Sequence, residues 1–180
     1  MFDLDDELNK AIAHYEGRFG HRDTDFRLLP VGFHSQNYAQ SLVHEGAGTI
    51  AVKLNERVKN NDLLLKYQLW HEAVHCLAPT ESIETIWFEE GLAVESAMHA
   101  PFVNRKFRKA CTADIRASPW DHPWQAFLKL KATDEQIRAV HERAPQRKFD
   151  LITSDLIIEV FDAPQQLADT LCQRMGKARP

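Results

Sequence analysis

At 180 residues, with 44% apolar and 27% charged side chains, the chain has the length and composition of one globular domain and not of a disordered protein. A formal net charge of -4 excludes the dominant cationic face that general affinity for nucleic acid requires. No apolar run approaches the roughly 20 residues that span a bilayer, and MFDLDDELNK lacks the basic flank and apolar core of a signal peptide, so a cytoplasmic protein without a membrane partner is expected.

Leu4, Leu8, Ile12, Tyr15 and Phe19 recur at helical spacing and Gly20 follows as a stop, which predicts a first helix over 4–19. FRLLPVGF (26–33) reads as extended, with Pro30 and Gly32 marking an edge or a bulge. Tyr38 to His44 is a weaker strand pattern, Gly46-Ala-Gly48 a turn, and TIAVKL (49–54) is β-branched and strand-like. After Asn60-Asn61 the pattern turns helical: Leu65, Leu69, Ala73 and Leu77 share one side of a helix over 62–77 that ends before Pro79. A connector over 79–86 leads to WFEEGLAVE, a second helix that ends near Pro101.

Phe102, Phe107, Cys111 and Ile115 then predict a basic amphipathic helix, and Asp121 with Pro123 opens another. Thr133 with Gln136 is a capping-box pair. LITSDLIIEVF (151–161) fits helix or strand, and Asp162-Ala-Pro164 opens a last helix carrying Leu167, Leu171 and Met175 up to Gly176. No repeat or low-complexity linker interrupts the chain. The expected architecture is one α+β domain: an N-terminal helix and small sheet over 1–58, a helix pair over 59–100, and a mainly helical part over 101–180.

Cys76, Cys111 and Cys172 are odd in number and scattered, which suits reduced thiols and excludes a zinc ribbon. The chemistry concentrates instead in LWHEAVHCLAP (69–79). On a helix, His71 and His75 lie one turn and about 40° apart, so both rings reach into one space, as two nitrogen ligands of one zinc must. Glu72 lies about 100° round from His71, off the ligand set yet near enough to take a proton from water attacking a carbonyl. Zinc needs a further protein ligand. A histidine six residues after His75, with glycine at the third, would serve; the chain has Glu81 and Ala78 there. What remains is a glutamate of the following helix, with Gly91 and Ala93 small enough to let the two helices approach.

HEAVH followed by WFEEGLA resembles the gluzincin metallopeptidases, particularly short peptidase-MA-like proteins in which an HExxH helix precedes a W-x-x-E-G-x-A helix. The likeness covers about residues 49–98 and leaves the C-terminal 80 residues unmatched. It implies a zincin-like fold, Zn2+ held by His71, His75 and Glu90, Glu72 as general base, and hydrolysis of a peptide or protein substrate. The family pattern places the ligand immediately before glycine, which favours Glu90 over Glu89. Glu95 is then a solvated carboxylate or a partner of a ligand histidine. TIAVKL resembles the edge strand that borders the cleft in such enzymes, where a peptide adds as a strand.

Two departures stand out. The acidic residue that several gluzincins carry four positions after the ligand glutamate is Val94 here, so the partner of His71 or His75 must be Glu95, a backbone carbonyl or another group. Tyr15, Tyr38 and Tyr67 all precede the motif, so the usual downstream tyrosine that stabilises the oxyanion is missing. His99, His122, His141, Arg116 and Arg138 are the alternatives, while Tyr67, one turn before His71, is expected to pack beside the site. Trp87 and Phe88 read as core anchors, Trp120 and Trp124 as cleft or packing residues, and Arg105, Lys106, Arg108 and Lys109 as a solvated face.

Three rival readings follow from the same residues. One is a regulatory zincin-fold module that binds metal and a protein partner without general turnover. Another is a regulatory protease that cleaves a single repressor, to which GLAVESAMHAP bears a faint likeness. The third is a helical protein without metal.

Overall fold

The computed structural model describes residues 3–44, 46–80 and 85–176. Its first helix, α1 (Leu4–Phe19), starts where Asp3 accepts hydrogen bonds from the backbone N–H groups of Asp5 and Asp6. It ends at Gly20, whose φ of 103° suits glycine. Leu8, Ala11, Ile12, Tyr15 and Phe19 form its buried face, as the periodicity predicts.

Four strands follow: β1 (Arg27–Leu28), β2 (Gly32–His34), β3 (Gln40–His44) and β4 (Thr49–Asn55). β4 is central. β1 and β2 pair with it in parallel, and β3 pairs with it antiparallel over the same residues that meet β1, hence on the opposite edge. Arg27 faces Thr49 while Gly32 faces Lys53, so five steps along one edge match four along β4. The extra residue falls around Pro30, which cannot donate to the ladder, and makes the expected bulge. TIAVKL is therefore not an edge strand. Ile50, Val52 and Leu54 are fully buried within β4, and the edge role passes to β3.

α2 (Asp62–His75) is capped by Asn61, whose side chain accepts from Leu64 N–H, and α3 (Trp87–Met98) packs against it. The remaining helices are α4 (Arg105–Arg116), α5 (Asp121–Leu128), α6 (Asp134–Arg143), α7 (Ser154–Phe161) and α8 (Gln165–Leu171). The capping box of Thr133 and Gln136 forms as predicted. The ambiguous 151–161 segment is helix over Ser154–Phe161, where the Thr153 side chain accepts from Leu156 N–H as the N-cap.

Two expectations are corrected. Gly91 does permit a close approach, but to α5: a Cβ there would overlap Phe127 and lie 2.7 Å from the Pro123 carbonyl oxygen. Met175 is not on the last helix. The chain leaves α8 at Cys172 and runs antiparallel to residues 85–87, with Trp87 N–H donating to Gln173 O (2.9 Å) and Met175 N–H to Thr85 O (2.8 Å). The result is an α+β architecture with a small mixed sheet and a mostly helical remainder. Among the described residues no helix is long and apolar enough to cross a membrane.

Candidate metal centre

Leu65, Leu69, Trp70, Ala73 and Val74 of α2 pack into the core. The side left over carries Tyr67, His71, Glu72 and His75 into a cleft of about 330 Å³. α3 brings Glu89 and Glu90 to the same place, only 1% and 3% exposed. Burying so many ionisable groups together costs stability unless each is paired, so such clusters point to function.

His71 Nε2 and His75 Nε2 are 3.4 Å apart. Glu90 Oε2 lies 3.6 Å from His71 Nε2, and Glu90 Oε1 3.7 Å from His75 Nε2. Zinc bonds of about 2.0–2.2 Å put neighbouring corners of a tetrahedron about 3.3–3.6 Å apart. The donor set fits a zinc ion in both spacing and chemistry, and these three residues form a group able to hold a metal. A second observation agrees: Glu90 Oε2 is buried without a hydrogen-bond partner. An oxygen in that state has its lone pairs free for a cation.

Three of these side chains, His75, Glu90 and Glu72, are held by a hydrogen bond from outside the cluster. His75 Nδ1 donates to Glu89 Oε1 at 2.7 Å, which leaves Nε2 directed at the site. Thr85 Oγ1 donates to Glu90 Oε1 at 2.7 Å, which leaves Oε2. Glu72 Oε2 accepts from Ser41 Oγ of β3 at 2.7 Å, which leaves Oε1.

The electrostatics follow from this arrangement. Burial works against a charged His75, but the Glu89 hydrogen bond and the charges of Glu90, Glu89 and Glu72 outweigh it and push the ring up to about 9. Burial would raise the Glu90 carboxyl, yet His71, His75 and Thr85 hold it well below the usual carboxylate range. Glu89 goes the other way, raised because desolvation exceeds what His75 returns.

The chain matches no family model, no curated protein and no solved structure. The site is therefore read from its own residues.

His71, His75 and Glu90 converge, and Glu72 borders the same cleft. Glu89 and Glu90 do diverge, as adjacent helical residues must, but Glu89 takes the place behind His75 for which Glu95 or a backbone carbonyl was expected. Glu95 instead accepts from Trp124 Nε1 at 2.8 Å and pairs with His99 at 3.2 Å. None of the five expected oxyanion donors lines the cleft. His122 stacks on Trp87, His141 Nδ1 donates to Phe19 O, Arg138 donates to the carbonyls of Gly17 and Arg18, and Arg116 is exposed. Tyr38 and Tyr67 line it instead, as does Trp120, while Trp124 packs. Arg105, Lys106, Arg108 and Lys109 are exposed.

Ser41 and Thr85 were not foreseen. Nothing in a lone serine of a weak strand pattern, or a threonine inside a connector, marks it as a partner of a carboxylate 31 or 5 residues away.

Proposed function

We propose that the protein is a zinc-dependent peptidase of zincin-like fold, with His71, His75 and Glu90 holding the metal and Glu72 acting as general base. The observation that supports this reading most is the division of labour on two adjoining helices: His71 Nε2, His75 Nε2 and the Glu90 carboxylate lie 3.4–3.7 Å from one another, and a fourth residue, Glu72, is tied off at one oxygen only. Zinc, when bound, supplies Lewis-acid chemistry by polarising a carbonyl and acidifying water.

The chain does the rest. Glu72 Oε1 takes the proton of the attacking water and can deliver it to the leaving amine, while Ser41 keeps Oε2 engaged and the carboxylate in one orientation. β3 pairs only with β4 among the described residues, so its outer edge can take an extended peptide as an added strand beside the site. Tyr67 is the hydroxyl nearest in sequence to the ligands that also lines the cleft, and it fits the role of donor to a developing oxyanion.

A second reading, a metal-binding module without turnover, is favoured by one fact: no arginine or lysine is among the described residues lining the cleft. Glu72→Gln separates the two. Under the peptidase reading this variant retains zinc and loses peptide cleavage by at least about a hundredfold, since general base catalysis contributes roughly 10²–10⁴. Wild-type protein that holds zinc and cleaves no member of a mixed peptide library would support the module.

A further inference from the structure

The metal ligands lie between two unlike ends of the cleft. Toward the C-terminus of α2 the lining is polar: Thr80, Thr85 and Glu89. Toward its N-terminus an apolar wall is present, with Gln68, Asp114 and Ser118 also in the lining. Tyr67, one helical turn before His71, and Val94, one turn after Glu90, come together there because α2 and α3 run antiparallel. α4 and the turn into α5 close this end with Cys111, Ile115 and Trp120. Beneath that lining, Val94, Cys111 and Ile115 belong to an apolar cluster separate from the main core and completed by Met98 and Trp124, with Tyr67, Phe107 and Trp120 packed against it. One turn of helix is about 5.4 Å, so this surface begins within a side chain's length of the ligands.

Charge narrows the choice of occupant. Glu72, Glu89, Glu90 and Asp114 line the cleft, and no lysine or arginine does among the described residues. Apart from the metal, a carboxylate brought to this end would meet Asp114 of α4 and no lysine or arginine side chain among the described residues.

Resting on the peptidase reading, we infer that the pocket walled by Tyr67, Val94, Cys111, Ile115 and Trp120 is the specificity subsite, and that it takes a bulky apolar side chain flanking the scissile bond. The preferred substrates are peptides with a leucine- or phenylalanine-sized residue beside the cleaved bond and no acidic residue at that position. α4 sets this preference, although it contributes no metal ligand.

Hydroxamates test the subsite apart from turnover. A zinc titration comes first, followed by calorimetry of the zinc-loaded protein with acetohydroxamate and with its isobutyl, benzyl and carboxyethyl relatives. The isobutyl and benzyl compounds are expected to bind tighter than acetohydroxamate by on the order of tenfold or more, the worth of a few buried methylene groups, and the carboxyethyl compound is expected to gain nothing. Ile115→Phe narrows the pocket and should cut the benzyl-to-acetohydroxamate ratio several-fold. Trp120→Ala, which removes a wall outside the core, should lower the same ratio if the first variant fails to fold. If zinc and acetohydroxamate bind while the apolar groups add no affinity, the subsite is overturned and the metal reading survives. If zinc does not bind, both fall.

Discussion

Two helix joints in this protein use charged side chains to opposite ends. Where α1 meets α6, Arg18 forms paired 2.8 Å hydrogen bonds to Asp134, Arg138 covers the carbonyls of Gly17 and Arg18, and His141 satisfies Phe19 O. The Arg18–Asp134 pair faces solvent in part, and each charge meets its opposite. Where α2 meets α3, three buried glutamates face two histidines, and Glu89 and Glu90 each retain a buried oxygen with no hydrogen-bond partner. The first joint pairs its carboxylate with an arginine, although His141 Nε2 is also buried there without a hydrogen-bond partner. The second carries more negative charge than its protein partners balance, and a divalent cation is the simplest group that would complete it.

The largest effect should come from taking a ligand out of the second joint. Glu90→Ala is expected to lower zinc affinity by more than about a thousandfold in calorimetry. It should also abolish the metal-dependent rise in Tm, which for a ligand at 1,000 times its Kd corresponds to about 4 kcal/mol. Substituting Arg18 in the first joint should lower Tm equally with and without zinc; a metal-dependent difference there would erase the contrast between the two joints.

Glu89→Gln should cost about 10–100-fold in zinc affinity, the usual worth of a group that orients a ligand histidine. A Glu89→Gln protein with unchanged affinity would make Glu89 a packing residue.

The pH dependence has a definite sign. His75 in the metal-free protein is pushed up to about 9, and its ring must lose a proton to bind metal. Zinc affinity should therefore climb by up to tenfold per pH unit between about 7 and 9 and then level off. Metal-free stability should run the other way: the His75 contribution is complete below the ordinary histidine value of 6.5 and is lost as pH rises through about 9.

The smallest effect belongs to the first joint. Arg18 holds the Asp134 carboxyl below its ordinary 3.8, so its contribution is present above that value and fades as pH falls through the lowered one. Asp134→Asn should cost no more than about 1 kcal/mol at neutral pH, as expected of a half-exposed pair, and wild type and variant should converge in acid.

The contrast also explains what could be read from residues alone. α1 was legible because its apolar residues recur at three and four and Gly20 closes it, both local facts. His71, Glu72 and His75 were legible because helical spacing alone fixes their relative directions. Pairing the second helix with the first left Glu89 and Glu90 as rivals, and Glu90 was singled out only by its place before Gly91 in the pattern the chain resembles. What stood behind them was not legible. Glu89 was weighed as a rival ligand because direction round α3 does not reveal which histidine atom it meets. Ser41 reaches Glu72 only because β3, not β4, is the strand at the cleft, and strand order is set by pairing across the sheet. The overrun of the last helix to Met175 has a similar cause: the apolar period continued, but backbone partners at 85–87 claimed residues 173–175.

That last pairing gives the site an order of assembly. Thr85 fixes the posture of Glu90, and Thr85 is itself held by Met175, 85 residues downstream of Glu90. At synthesis rates of about 5–20 residues per second, roughly ten seconds separate the emergence of Glu90 from that of the segment that locks it. For that interval the nascent chain carries the histidines and glutamates of the centre without its final clasp, so the full geometry of the centre waits on the closing of the fold and not on the appearance of the motif.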